Sequence, residues 1–216
     1  MKSGVVLMME AVGSLVRDGR LRRPVTLLIT CDEEIGSHTS RALLEREARN
    51  AQIVLVPEPS LPGGKAKTSR KGVATYTIRT TGRAAHAGIE PERGINAITE
   101  MAHQVIAIQK IARTDIGSTL SIGTMKGGTV TNTIPAEATA ALDVRYATKA
   151  EATRIHEDLL RLKPVLDGAA VEVQQSESRP PLERTDQVIA LYHRARTIAQ
   201  SIGFELGEGS TGGGSD

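Results

Sequence analysis

Residues 24–60 read PVTLLITCDEEIGSHTSRALLEREARNAQIVLVPEPS, and the fold of the first part of the chain turns on them. Residues 25–30 form a short, β-rich apolar run that predicts a buried strand. The polar loop CDEEIGSHTS follows, with Thr39 or Ser40 available to cap a helix running to about Arg49. Residues 53–56 predict a second buried strand, closed by Pro57 and Pro59. Strand, helix and strand joined by short links make a βαβ unit, with parallel strands and a right-handed crossover. The acidic loop at Glu33 and Glu34 and the turn at Glu58 then lie at the C-terminal ends of those strands. That edge is where open α/β sheets place ligands.

Ahead of this unit, Val5, Leu7, Met8, Val12, Leu15 and Val16 recur near a helical period over residues 3–18, and Gly19 is placed to stop the helix. Behind it, PSLPGGKAKTSRKG is rich in Pro, Gly and Lys and lacks periodicity, so it reads as a domain junction. Its basic residues Lys65, Lys67, Arg70 and Lys71 read most simply as a solvated surface. The pattern then changes. Ala74, Tyr76 and Ile78 alternate with Thr75, Thr77 and Arg79, as in a half-exposed strand. Residues 94–112 place Ile95, Ile98, Ala102, Val105 and Ile108 on one helical face. Alternation returns at 119–125 and 137–146, a helix is expected over 149–162, and alternation again at 169–175. Strand, helix, strand, strand, helix, strand is the order of a ferredoxin-like α+β sandwich. Residues 71–178 therefore read as a domain inserted into an α/β domain made of 1–70 and 179–216, with a last helix over about 186–202.

Composition sets bounds on function. The chain has 216 residues, with 27 Lys and Arg against 25 Asp and Glu, a formal net charge of +2. So even a balance gives no electrostatic footprint for nucleic acid or an anionic membrane. Three Tyr, one Phe and no Trp provide few platforms on which single-stranded bases could stack. The single cysteine, Cys31, excludes an internal disulfide framework, fits a reducing compartment, and reads as a packing residue. The stretch SGVVLMMEAV mimics a signal peptide only until Glu10 and Arg17 interrupt it. No apolar run approaches the roughly 18 residues of a membrane span. A cytoplasmic protein is expected, without excluding export.

Glu33 and Glu34 are adjacent, with Asp32 before them. In extended backbone neighbouring side chains point to opposite sides, so one carboxylate can hold a metal while the other faces water or substrate. The same triplet also reads as a solvated acidic loop at a helix N-terminus. Glu58, fixed between two prolines, is a turn residue alone and a second anionic ligand if paired with Glu34. His86 in GRAAHAG reads as a surface residue or a catalyst. Asn132 and Arg145 share its domain, and an Arg fork can bind a carboxylate bidentately. His38, His103, His156 and His193 show no metal-ligand spacing. The glycines of STGGGSD suit either a flexible linker or a close backbone approach to a carboxylate.

Taken together and in order, CDEEIGS, VPEPS, GRAAHAGIEPERGINAI, GGTVTNTIPAEATAALDVRY and STGGGSD resemble the dizinc metallopeptidases that include glutamate carboxypeptidase, aminoacylase, acetylornithine deacetylase and succinyl-diaminopimelate desuccinylase, above all the glutamate carboxypeptidase branch. The resemblance implies a zinc-peptidase α/β domain with an inserted ferredoxin-like lid that dimerises. It implies hydrolysis of a peptide or N-acyl amide bond next to a free carboxylate, with a small peptide or N-acyl amino acid as substrate. The implied cofactor is two zinc ions, or another divalent metal. Glu33 would be the general base, and Glu34 and Glu58 terminal ligands of the two zincs. His86 would reach from a partner's lid to polarise the scissile carbonyl. Asn132 and Arg145 would bind the substrate carboxylate, with Gly212, Gly213 and Gly214 lining that site.

Such enzymes also use two His ligands and a bridging Asp. By the resemblance one His and the Asp fall ahead of Met1 and the other His beyond Asp216, so the chain is expected to be an internal fragment, inactive alone, with residues 71–178 folding independently and the rest less stable. A non-catalytic dimerisation module is the alternative expectation. A nucleotide-binding α/β protein is a third, for which no GxGxxG or P-loop string is present.

Overall fold

The computed structural model describes residues 2–214. Along them run α1 (Lys2–Arg17), α2 (Arg41–Asn50), β1 (Ala66–Arg70), β2 (Gly72–Thr81), α3 (Ala97–Gln109), β3 (Thr119–Gly127), β4 (Glu137–Tyr146), α4 (Lys149–Leu160), β5 (Ala170–Arg179), α5 (Asp186–Ser201) and β6 (Glu208–Thr211). Short 3₁₀ turns lie at Glu33–Ile35, Pro91–Arg93 and Thr114–Ile116. Two compact units divide these elements. One holds residues up to Lys67 with Ala190–Gly209; the other holds Thr68–Ile189 and residues 210–214.

The second unit is built on an antiparallel sheet of order β3-β4-β2-β5. With α3 and α4 at their places in the chain, this is the ferredoxin-like arrangement expected from the alternating strands. The period of two puts Ala74, Tyr76 and Ile78 of β2 and Ala138, Ala140, Leu142, Val144 and Tyr146 of β4 into one core, closed by Met101 and Ile108 of α3 and Ile155 and Leu159 of α4. Each such large side chain, taken fully from water, contributes about 1.5–3 kcal/mol. Thr80 Oγ1 donates to the carbonyl of Ala97 at 2.8 Å, fixing where α3 begins. Asn96 caps that helix, its Oδ1 accepting from the amides of Ile98 and Thr99. Thr148 caps α4 by accepting from the amide of Glu151, while the Glu151 side chain turns to Ser118 and Arg154.

The face that α3 buries matches the expected one only in part, with Ile108 buried and Val105 packed against the core. Ala97, Glu100, Met101, Gln104 and Ile108 are buried, whereas Ile98, Ala102 and Ile106 are exposed. Two polar residues take core positions because they bind the chain that follows α4. Glu100 accepts from the amides of Val165 and Leu166 at 3.0 and 2.7 Å, and Gln104 Nε2 donates to Glu100 and to the carbonyl of Lys163. A buried carboxylate so supplied with donors is stable where an unpaired one would not be.

In the first unit α1 ends as expected, at Gly19 with φ +61°, and the amides of Gly19 and Arg20 donate to Val16 and Leu15. Neither α1 nor α2 contains a buried residue. The expected βαβ unit is corrected. Residues 25–30 and 53–56 flank α2, but neither is a strand, and Val25, Ile29, Val54 and Leu55 are exposed. A strand is defined by its ladder, and among the described residues neither segment pairs with a neighbour. Cys31 is exposed rather than packed. Gly4 of α1 lies against the segment that carries Glu58; a Cβ there would come within 2.1 Å of the carbonyl oxygen of Pro57. Tyr192 and Ala199 are buried on α5, and the Tyr192 hydroxyl donates to the carbonyl of Leu206. Among the described residues no helix is long and apolar enough to cross a membrane.

Candidate active site

Glu33 and Glu34 sit on a single tight turn, with Glu33 half-buried and Glu34 exposed. The turn is fastened from both ends by Asp32, which is only 7% exposed. The Asp32 carbonyl accepts from the amides of Ile35 and Ser37. Its Oδ2 accepts from the Thr39 amide and hydroxyl at 2.9 and 2.7 Å and from the Ser40 amide at 3.1 Å, at the entrance to α2. The donors of Ser40 and Thr39 gathered about it hold the Asp32 carboxyl well below the usual carboxylate range. Gly36 at φ 106° and Ser37 at φ 53° turn the chain back. The cap expected from Thr39 or Ser40 is not made: Ser40, at the N-cap of α2, makes no side-chain cap bond, and the amides of both residues donate to Asp32 instead. Glu58 is half-buried between its prolines.

The second unit brings His86 and Asn132 together. The amide of Ala87 donates to the carbonyl of Asn132 at 2.9 Å, and His86 pairs with Thr133 in an isolated bridge. The imidazole Nδ1 lies 3.2 Å from the amide of Gly88. Arg145 projects from β4 with its fork on Asp143: Nε donates to Oδ1 and Nη2 to Oδ2, each at 2.8 Å. That bidentate pair holds the guanidinium in place, and a substrate carboxylate would have to displace or share it. The glycine run is held as well. Arg70 donates to the carbonyls of Gly213 and Gly214 at 3.1 and 2.6 Å, and a Cβ on Gly214 would meet Val73 Cγ2 at 2.6 Å. Only Gly214 is so crowded, and by a side chain; Gly212 has open space about its Cβ position and Gly213 only ordinary contacts.

The M20 peptidase dimerisation domain matches residues 68–162. Carboxypeptidase G2 of Pseudomonas sp. (strain RS-16) is 35% identical over 197 residues, which cover 89% of this chain and 47% of that protein. A succinyl-diaminopimelate desuccinylase of Ruegeria pomeroyi is 30% identical over 220 residues, covering 88% and 55%. The crystal structure of aminopeptidase PepT from Bacillus cereus matches with a TM-score of 0.76 at 26% identity, over 99% of this chain and 57% of that one. Over residues 68–162 the chain carries the dimerisation domain of M20 peptidases, and its relatives include a carboxypeptidase and a desuccinylase. It spans about half the length of the curated relatives it matches.

M20 peptidases are generally metal-dependent. The carboxylates of Glu34 and Glu58 are oxygen donors of the kind zinc accepts. By themselves they are too few: among the described residues no group of three or more His, Cys, Asp or Glu is placed to hold a metal. The described residues therefore do not form a complete M20 metal centre. Two contributors escaped the sequence reading. Asp32 stood in the acidic triplet, but its partners begin seven residues away, beyond any short motif. Gly88 stood in HAG, where the only signal was a small residue two places after a histidine.

Proposed function

We propose that this chain supplies part of the active site of a zinc-dependent M20 hydrolase that cleaves a peptide or N-acyl amide bond next to a free carboxylate. The observation that carries the reading is the Glu33–Glu34 turn, clamped by Asp32, in a chain whose relatives are named carboxypeptidase, desuccinylase and deacetylase. When bound, zinc polarises a carbonyl and lowers the pKa of water. Glu34 and Glu58 would be two of the residues that hold it. Glu33, the neighbour of a ligand, takes a proton from the attacking water and returns it to the leaving amine. His86 donates a hydrogen bond to the carbonyl oxygen as charge develops there. Asn132, Arg145 and the glycines at 212–214 receive the substrate carboxylate.

Residues 71–178 act as the lid and as the contact of a homodimer. The exposed apolar stripe Ile98, Ala102 and Ile106 on α3, one helical turn apart at each step, supports that role. The incomplete donor set favours a second reading, a dimerisation module without catalysis. One experiment separates them. The complete gene product is assayed for zinc-dependent release of glutamate from an acylglutamate, with Glu33→Gln beside it. The expected result is a loss of roughly 10²–10⁴-fold in kcat at unchanged zinc content. An undiminished rate in Glu33→Gln removes the proposed base, and no release by either protein supports the module.

A further inference from the structure

We infer that the main-chain amide of Gly88 is a positioning group that locks the His86 imidazole in the tautomer carrying its proton on Nε2. An amide nitrogen can only donate, and that of Gly88 lies 3.2 Å from His86 Nδ1. Nδ1 must then present its lone pair, and a neutral imidazole has one N–H, which is left to Nε2. The donor is held in place in the main chain, because the turn that bears it is fastened at several points. The His86 carbonyl accepts from the amides of Ile89 and Glu90 at 3.3 and 3.2 Å, and the Ala87 amide donates to the carbonyl of Asn132. Next to it, the Ile134 amide donates to the carbonyl of Ala85.

The consequence is a division of roles. With its proton on Nε2, exposed His86 offers a hydrogen-bond donor at its outer edge and no base there. It suits an acceptor ligand, a carbonyl oxygen gaining negative charge, and not the removal of a proton from water. This use rests on the function proposed above; the tautomer rests on the turn alone. Glycine is not demanded for space, since a Cβ on Gly88 would meet His86 Cε1 and Nδ1 at 3.8 and 3.9 Å, ordinary contact. The amide is what matters, so alanine should serve and proline should not.

The test is a long-range ¹⁵N–¹H correlation spectrum of the imidazoles in the ¹⁵N-labelled chain, recorded well above the imidazole titration range, for wild type, Gly88→Ala and Gly88→Pro. Wild type and Gly88→Ala are expected to show His86 as a single species, bare at Nδ1 and protonated at Nε2. In Gly88→Pro the Nδ1 signal should move toward the averaged position of an exposed histidine such as His193. Protection of the Ala87 amide reports whether the proline variant keeps its turn. Should it not, the wild-type spectrum decides alone. A proton on Nδ1 in wild type overturns the inference, as does a Gly88→Pro spectrum with its turn intact and its His86 signals unmoved. In the complete gene product, an unchanged hydrolysis rate in His86→Ala would instead strike the proposed role of His86 and leave the tautomer assignment standing.

Discussion

Glu100 shows how much a single buried charge can organise. Burial opposes its ionisation, but the Leu166 amide, the Gln104 side chain, the Val165 amide and nearby His103 together outweigh it and hold the carboxyl below its ordinary value. A depressed carboxyl contributes stability above the unfolded-chain value of 4.5, lost as pH falls through the lower folded value. The second unit should therefore melt at lower temperature as pH drops below about 4.5. Glu100→Ala, which strands two amides, should cost about 2–3 kcal/mol at neutral pH, with a smaller difference from wild type in acid. Thermal melts followed by circular dichroism at both pH values check the sign. A constant difference across that range would contradict it. This role was not legible in the sequence, because the donors lie 65 and 66 residues away. The adjacency of Glu33 and Glu34 and their place in a loop were legible; the 3₁₀ turn that stands where extended backbone was expected, and the clamp by Asp32, were not.

At the scale of elements, legibility followed period. β2 and β4 sit in the middle of the sheet with one face buried, so their alternation is clean, and β4 occupies the residues expected of it, Glu137–Tyr146. On α3 the period was right and the phase right only in part: Val105 and Ile108 meet the core as expected, but Ile98 and Ala102 lie outside while Glu100 and Gln104 lie inside. Residues 25–30 and 53–56 carry the composition of strands, but composition cannot supply the partner that a ladder needs. Two substitutions test the account here. Asn96→Ala removes the acceptor of two amides and should cost about 1 kcal/mol. Leu142→Ala, at a position 1% exposed and facing the helices, should cost about 2–5 kcal/mol. Urea titrations of the chain measure both, and a smaller loss for Leu142→Ala than for Asn96→Ala would deny the core assigned to this sheet.

For the whole molecule, the core is distributed unevenly. The continuous buried cluster lies in the second unit, while α1 and α2 bury nothing and many large apolar residues of the first unit are exposed. Hydrogen exchange should show slow amides in β2, β4, α3 and α4 and fast ones in α1 and α2; uniform protection would contradict the division. The lid should also self-associate, and replacing Ile98 and Ile106 with Lys should shift sedimentation toward the monomer without lowering the melting temperature by more than a few degrees. The central claim is that Glu34 and Glu58 serve one metal centre, and the most direct measurement is an anomalous-difference map at the zinc edge from crystals of the zinc-loaded complete gene product. Two peaks about 3.5–4 Å apart, one within about 2.2 Å of a Glu34 oxygen and the other equally near Glu58, are predicted. Zinc peaks that leave either glutamate untouched would contradict the account.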